Sequence, residues 1–311
     1  MSKPVLTPES KSASNAANKS KVSLVVQAFR PKTLSAAIVP VLLGSAASYM
    51  LFNEFKSFVF WCALFGALFI QIGTNLVNDA ADFVKGADGH DRKGPQRLTQ
   101  SGTYSAKKVL AMGTAAFIIA SLFGIPLVRE GGWPIVVIGL VSVMMGYFYT
   151  MGPFPLAYVG AGDVFVVIFF GVIAVATTMF LHSGIWSPEG IVLGLQMGFL
   201  STTLIAINNL RDIKEDERVG KRTMAVRLGV AAAKWEIAIV TYLPYLLCCY
   251  WLLPHYSHVA VLPFFAMFIS VPLVNKIFIT DPSPEYNRFL AQASLHTLVF
   301  CILLIVGFTL I

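Results

Sequence analysis

Leu34-Ser-Ala-Ala-Ile-Val-Pro-Val-Leu-Leu-Gly-Ser-Ala-Ala-Ser-Tyr-Met-Leu-Phe52 runs for nineteen residues without a charged side chain, and Phe289–Ile311 does the same for twenty-three. A helix rises about 1.5 Å per residue, so roughly 20 apolar residues cross the ~30 Å hydrocarbon core of a bilayer. Working outward from these two runs, similar segments fill about 57–79, 107–128, 133–151, 159–181, 188–210, 231–253 and 258–279, which with 33–52 and 289–311 makes nine. Composition agrees: 56% of the 311 residues are hydrophobic and 13% charged, whereas a soluble domain carries about 25% charge. An ordinary cytosolic enzyme, a disordered chain and a disulfide-stapled secreted module are excluded. The expectation is an all-α polytopic membrane protein with nine transmembrane helices, one bundle spanning 22–311. Residues 1–21 are Ser-, Lys-, Asn- and Ala-rich and read as a disordered cytoplasmic tail, and Val22–Arg30 as a short interfacial helix.

The net charge of +7 does not point to nucleic acid, because the bases sit at the ends of apolar segments rather than on a soluble face. Six Lys and Arg lie in the tail through Lys32, six from Lys85 to Lys108, seven from Arg211 to Lys234, and two more are Lys276 and Arg288. Only Lys56 and Arg129 fall on the other side. The positive-inside rule then sets the N-terminus in the cytoplasm and the C-terminus across the membrane. The cysteines, Cys62, Cys248, Cys249 and Cys301, lie within apolar runs at no ligand spacing and read as small apolar fillers. His182, His255, His258 and His296 are assigned no chemistry.

Six of the eight aspartates crowd two places, the inner ends of the second and sixth segments. The first reads Asn75-Leu-Val-Asn78-Asp79-Ala-Ala-Asp82-Phe-Val-Lys-Gly86-Ala-Asp88-Gly-His-Asp91, with Asn75, Asn78, Asp79 and Asp82 on one face of a helix end. The second reads Asn208-Asn209-Leu-Arg-Asp212-Ile-Lys-Glu-Asp216, its acids again four apart. Facing carboxylates repel unless a cation bridges them, and oxygen-only donors suit Mg²⁺ shared with substrate phosphates. Bases follow each cluster: Arg92, Lys93 and Arg97-Leu-Thr-Gln-Ser-Gly102 after the first, Gly220-Lys221-Arg222-Thr223 after the second. Acids for metal beside bases for phosphate oxygens make a diphosphate site. The clusters are offset by 130 residues, from Asn78 to Asn208, which suggests two similar halves plus a ninth helix. Nine spans suit a long apolar tail, so the residues themselves point to an integral enzyme acting on a polyprenyl diphosphate.

These motifs resemble the UbiA superfamily of intramembrane prenyltransferases. Three stretches resemble its menaquinone branch, the 1,4-dihydroxy-2-naphthoate polyprenyltransferases: Arg30-Pro-Lys-Thr-Leu-Ser-Ala-Ala-Ile-Val-Pro40, Tyr149-Thr-Met-Gly-Pro-Phe-Pro-Leu-Ala-Tyr158-Val-Gly-Ala-Gly162-Asp163, and Asn208 through Gly-Lys-Arg-Thr-Met-Ala-Val-Arg-Leu-Gly229. The resemblance covers roughly 28–311. It implies a nine-helix bundle open sideways to the bilayer, with two Mg²⁺ at the diphosphate. Carried over, Asn78, Asp82, Asp212 and Asp216 take the metal–diphosphate role, with Asp79, Asp88 and Asn208 in support. Arg97, Lys221 and Arg222 would meet phosphate oxygens. Two departures stand out. Gly86 occupies a position where the superfamily often has an acid, Asp88 following two later, and the Gly-x-Gly turn ends in Asp163 rather than a longer Glu.

The chemistry this implies is transfer of a polyprenyl group to 1,4-dihydroxy-2-naphthoate with loss of CO₂. Asn75 belongs with the substrate-binding face, and Arg30, Lys32 and Tyr149, at inner helix ends, are candidates to engage the naphthoate. The bacterial cell (inner) membrane is the expected location. Other aromatic acceptors, such as hydroxybenzoate or homogentisate, are the nearest alternatives. A transporter is more distant, since its polar groups would sit near mid-bilayer. Asp88-Gly89-His90-Asp91-Arg92 echoes a CDP-alcohol phosphotransferase motif, but the spacing that should follow is missing.

Overall fold

The computed structural model describes residues 21–87, 93–95, 97–152, 155–253 and 256–310. Among these residues every regular element is helical. A short helix α1 (Lys21–Ala28) leads into α2 (Ser35–Phe52), α3 (Ser57–Val84), α4 (Ala106–Gly131) and α5 (Trp133–Phe148). They are followed by α6 (Gly162–Ser183), α7 (Pro188–Arg211), a short α8 (Ile213–Arg218), α9 (Met224–Leu252), α10 (Ser257–Ile279) and α11 (Tyr286–Thr309). Each expected apolar segment is a helix. Eight are long and apolar enough to cross a membrane, and α5, at sixteen residues, is shorter. The expected tail lies outside the described residues except for Lys21, which opens α1.

The helix starts are written in the sequence. Ser187 accepts a hydrogen bond from Gly190 N at 3.2 Å with Pro188 next, and Ser105 and Thr223 cap α4 and α9 in the same way. Ends are less legible. The second apolar segment continues as helix to Val84, carrying Asp79 and Asp82 inside its last turns. Conversely, α7 stops at Arg211, and the chain bends at Asp212 before α8 carries Asp216.

In a bilayer the hydrophobic effect does not drive helix against helix, so close packing of small residues must. Around Gly194-Leu-Gln-Met-Gly198 the backbones of α6 and α7 touch. A Cβ on Gly171 would stand 2.3 Å from the Gly194 carbonyl oxygen and 2.5 Å from Gly198 Cα. There α6 widens into a π-helical stretch, Val167–Ile173. Gly73 and Gly113 play the same part between α3 and α4, with Phe117 seated over the gap. Leu193, Met197, Leu200, Leu204, Ile207 and Leu210 bury α7 at the centre, between α6 and α9, with α11 closing on α2 and α7. Large apolar side chains such as Trp235, Leu253, Phe268 and Ile279 are exposed, as a lipid-facing surface requires.

Candidate active site

A cavity of about 840 Å³ lies among α2 to α7. One end is polar, lined by Asn75, Asn78, Asp82, Arg97, Asn208, Asp212, Asp216 and Lys221. The other is apolar, running past Gly66, Ile70 and Phe169 to Leu127, Ile135 and Leu181. Ile125, Val136 and Leu140 line it too and are each about half exposed, so this end reaches the lipid-facing side of α4 and α5.

On α3, Asn75, Asn78 and Asp82 share the cavity face, as their three- and four-residue spacing requires. Asp79 does not join them. Its carboxylate accepts Leu98 N at 3.0 Å, Thr99 N at 3.3 Å and the Thr99 hydroxyl, and it is buried against that loop rather than lining the cavity. The anchored loop brings Arg97 to Asp82, 3.3 Å apart. Tyr158 donates its hydroxyl to the other Asp82 oxygen at 3.2 Å, and Thr150 donates to Asn78. Lys85 Nζ donates to Thr150 O at 2.6 Å and lies 3.8 Å from the Tyr158 ring centroid.

On the facing side, the α7–α8 joint brings both Asp212 and the buried Arg211 to the cavity wall. Arg211 is 2% exposed and clamps Asp212 through two bonds of 2.7 and 2.6 Å. It also donates to Asn208 at 2.6 Å and, across to α11, to Asn287 at 2.8 Å. Asn287 holds Lys93 O at 3.1 Å, and Lys93 Nζ lies 3.6 Å from Glu215. The loop after the first cluster is thereby fastened to the second.

Lys221 joins the two. Its ammonium is 3.3 Å from Asp216 and 5.8 Å from the Tyr158 ring, whose hydroxyl meets Asp82. Burial pushes the Asp216 carboxyl up to about 6; Lys221 opposes this, and Asp212 and Asp82 add to it. Burial alone would lower Lys221, but Asp82, Asp216 and Asp212 more than offset that and hold it above its ordinary value. The same chamber therefore contains acids from both helix tips.

Arg30 lines the cavity in a left-handed backbone conformation, φ 54°. Burial and then Asp163 push the Tyr149 hydroxyl well above its usual range, and Arg30 pulls the other way. Arg222 is brought elsewhere: it is exposed, and its backbone N donates to Tyr158 O. Asp88 and the Lys32 side chain lie outside the described residues. Sequence reasoning missed Arg211, Thr150, Tyr158 and Asn287. Tyr158 lies within the Tyr149–Asp163 stretch, but Arg211 beside an acid at a helix end reads as a solvated charge.

Among the described residues no group of three or more His, Cys, Asp or Glu side chains is disposed to hold a metal ion by itself. The donors nevertheless fit Mg²⁺ shared with a substrate, which needs one or two carboxylates plus phosphate oxygens. Asp216 Oδ2 is buried without a hydrogen-bond partner beside the cavity, and the remaining donors are carboxylate and amide oxygens. The fold and site define an all-helical intramembrane protein with an acid-and-base chamber at the end of a lipid-reaching apolar cavity.

Residues 37–291 match the UbiA prenyltransferase family, and the chain belongs to it. The 1,4-dihydroxy-2-naphthoate octaprenyltransferase of Bacillus subtilis (strain 168) is 32% identical over 247 residues, 79% of this chain and 78% of that one. The protein of the same name from Haemophilus influenzae is 30% identical over 304 residues, 92% of this chain and 96% of its own. A UbiA homolog from Archaeoglobus fulgidus, solved bound to GPP and Mg²⁺, shares the fold with a TM-score of 0.64 at 15% identity, over 91% of this chain and 99% of that chain.

Proposed function

We propose that the chain transfers a polyprenyl group from a polyprenyl diphosphate to 1,4-dihydroxy-2-naphthoate, releasing diphosphate and CO₂. The observation that carries this reading is the polar chamber itself, where α3 and α7–α8 bring Asp82, Asp212 and Asp216 together with Arg97 and Lys221 beside an apolar, lipid-reaching cavity. The names of the two 1,4-dihydroxy-2-naphthoate octaprenyltransferases support the choice of acceptor. Taking α5 as a short ninth span keeps the Lys- and Arg-rich loops on one side, which by the positive-inside rule is the cytoplasmic side and carries the N-terminus.

Asn78, Asp82, Asp212 and Asp216, with Asn208 beside them, would hold two Mg²⁺. When bound there, Mg²⁺ supplies positive charge against the charge building on the departing diphosphate. Arg97 and Lys221 now neutralise Asp82 and Asp216; in the loaded site they turn to phosphate oxygens, which match their donors. Asp79 keeps the Arg97 loop in place, and Tyr158 fixes the orientation of Asp82. The apolar walls keep water from the allylic cation as the diphosphate leaves. The ring carbon bearing the carboxylate then attacks C1 of the prenyl group. The C–CO₂ bond breaks, its electron pair stays with the ring, and aromaticity returns.

The test is to incubate the reconstituted protein with Mg²⁺, a labelled polyprenyl diphosphate, and naphthoate, hydroxybenzoate or homogentisate in turn. CO₂ release and a prenylated lipid only with the naphthoate support the reading. Product with another acceptor alone, or uptake into vesicles without product, contradicts it.

A further inference from the structure

The diphosphate reading leaves two cavity acids unused, and of these Glu215 is paired with Lys93. Asp163 follows Gly162 in the first turn of α6, lines the cavity and is 9% exposed, yet its Oδ1 has no hydrogen-bond partner. A buried carboxylate oxygen is expensive to keep without a partner, so its ligand must bring a cation or a donor. Asp163 stands among Tyr149, Phe165 and Phe169 rather than among the oxygen donors around Asp216, which favours a donor. Phosphate oxygens bring none, and two anions would repel each other. A hydroxyl on an otherwise apolar group fits.

The neighbourhood narrows the ligand further. Gly162 lets Tyr149 come close: a Cβ at Gly162 would lie 2.9 Å from the Tyr149 hydroxyl. The Tyr149 ring centroid is 5.9 Å from that of Phe165, which stacks on Phe169 at 4.3 Å. All three line the cavity next to Asp163. Flat aromatic walls receive a flat aromatic ring. Arg30 lines the same region, and its charge and that of Asp163 both act on Tyr149. An aromatic ring carrying a carboxylate and a hydroxyl matches the base, the rings and the acid together.

We infer that Asp163 is a specificity-determining residue that accepts a hydrogen bond from a ring hydroxyl of the prenyl acceptor, which lies against Tyr149 and Phe165. This rests on the reading of the chain as a prenyltransferase for hydroxylated aromatic acids. A site that keeps a buried acceptor oxygen for a substrate hydroxyl rejects analogues lacking it far more strongly than shape alone would.

The experiment compares wild type, Asp163→Asn and Asp163→Leu on an accepted hydroxy-aromatic acid and on its ring O-methyl ether. Wild type should favour the free hydroxyl in kcat/KM by about 30-fold or more, and Asp163→Leu should bring that ratio within about threefold. Asp163→Asn, which keeps an acceptor oxygen, should fall between them. The KM for polyprenyl diphosphate and the Mg²⁺ dependence should stay within about twofold. Removing an unpaired buried charge should leave the melting temperature unchanged or raise it. A ratio unchanged in Asp163→Leu, or an effect on diphosphate KM instead, overturns the assignment. So does a lower melting temperature with equal loss on both acceptors, which marks a structural residue. If wild type uses hydroxybenzoate and not the naphthoate, the choice of substrate fails, but the hydroxyl-to-ether ratio on that acid still decides the role of Asp163. A wild type that prenylates no aromatic acid overturns both.

Discussion

Lys221 Nζ stands 3.3 Å from Asp216 Oδ1, and its raised pKa reflects Asp82 on the opposite helix as well as its neighbour. One cation thus senses acids that are 134 residues apart in the chain. That is the physical content of two clusters forming one chamber, and the consequences can be measured.

The Arg211–Asp212 clamp is almost completely buried. Removing one partner of a buried pair leaves an uncompensated charge, which costs about 3–5 kcal/mol. Arg211→Met should therefore lower the melting temperature sharply and abolish turnover. The double variant Arg211→Met/Asp212→Asn should recover most of the stability and none of the activity. Thermal melts in detergent alongside product assays check both.

Asp79 should behave unlike its neighbour Asp82. Asp79→Ala strips the Leu98 and Thr99 backbone donors of their acceptor, at about 1–3 kcal/mol for each buried group left unmade. The expected result is a loosened loop that proteases cut faster, with kcat reduced and the Mg²⁺ midpoint within about threefold of wild type. A Mg²⁺ midpoint shifted more than about tenfold with an intact loop would restore Asp79 to the metal site.

The titration of Asp216 sets a pH window. Its carboxyl is raised from an ordinary 3.8 to about 6, so between those values the metal-free fold holds a proton that the unfolded chain has lost. Stability of the metal-free protein should therefore fall as pH rises through this window. Mg²⁺ needs the ionised form, so its apparent affinity should climb toward pH 6 and then flatten, with a proton released on binding below that point. Asp216→Asn should remove the pH dependence together with most of the affinity. Calorimetric titrations in two buffers of different ionisation enthalpy would show it.

Much of this was legible in the sequence, and the parts that were not share a cause. Apolar runs and caps such as Ser187-Pro188 locate helices because they act locally. The acid clusters announce themselves because charge at a membrane face needs a reason. Asp79 and Asp82 look alike in sequence; only the path of the loop at Leu98 and Thr99 separates them. Arg211 was unreadable for the same reason, since its partner Asn287 arrives from α11. Arg222 looked like a phosphate ligand beside Lys221, but neighbours in an extended loop point to different sides, and only Lys221 faces the chamber.

A steric prediction concerns the α6–α7 seam. Gly171→Ala puts a methyl 2.3 Å from the Gly194 carbonyl, and overpacking of this kind costs about 1–3 kcal/mol. The helices must part just beyond Phe165 and Phe169, so acceptor KM should rise with the loss of stability. Gly124→Ala, where a Cβ meets open space, should leave stability close to unchanged and serves as the stability control.

The most direct test of the shared chamber is the binding of inorganic diphosphate in the presence of Mg²⁺ to the full-length protein, compared among wild type, Asp82→Asn, Asp212→Asn and the double variant. If both helix tips grip one ligand, each single substitution should weaken binding at least about 30-fold, and the double should be little worse than either single, because residues that act as a unit are not additive. Binding that survives both substitutions, or two losses that simply add as at independent sites, would contradict the account.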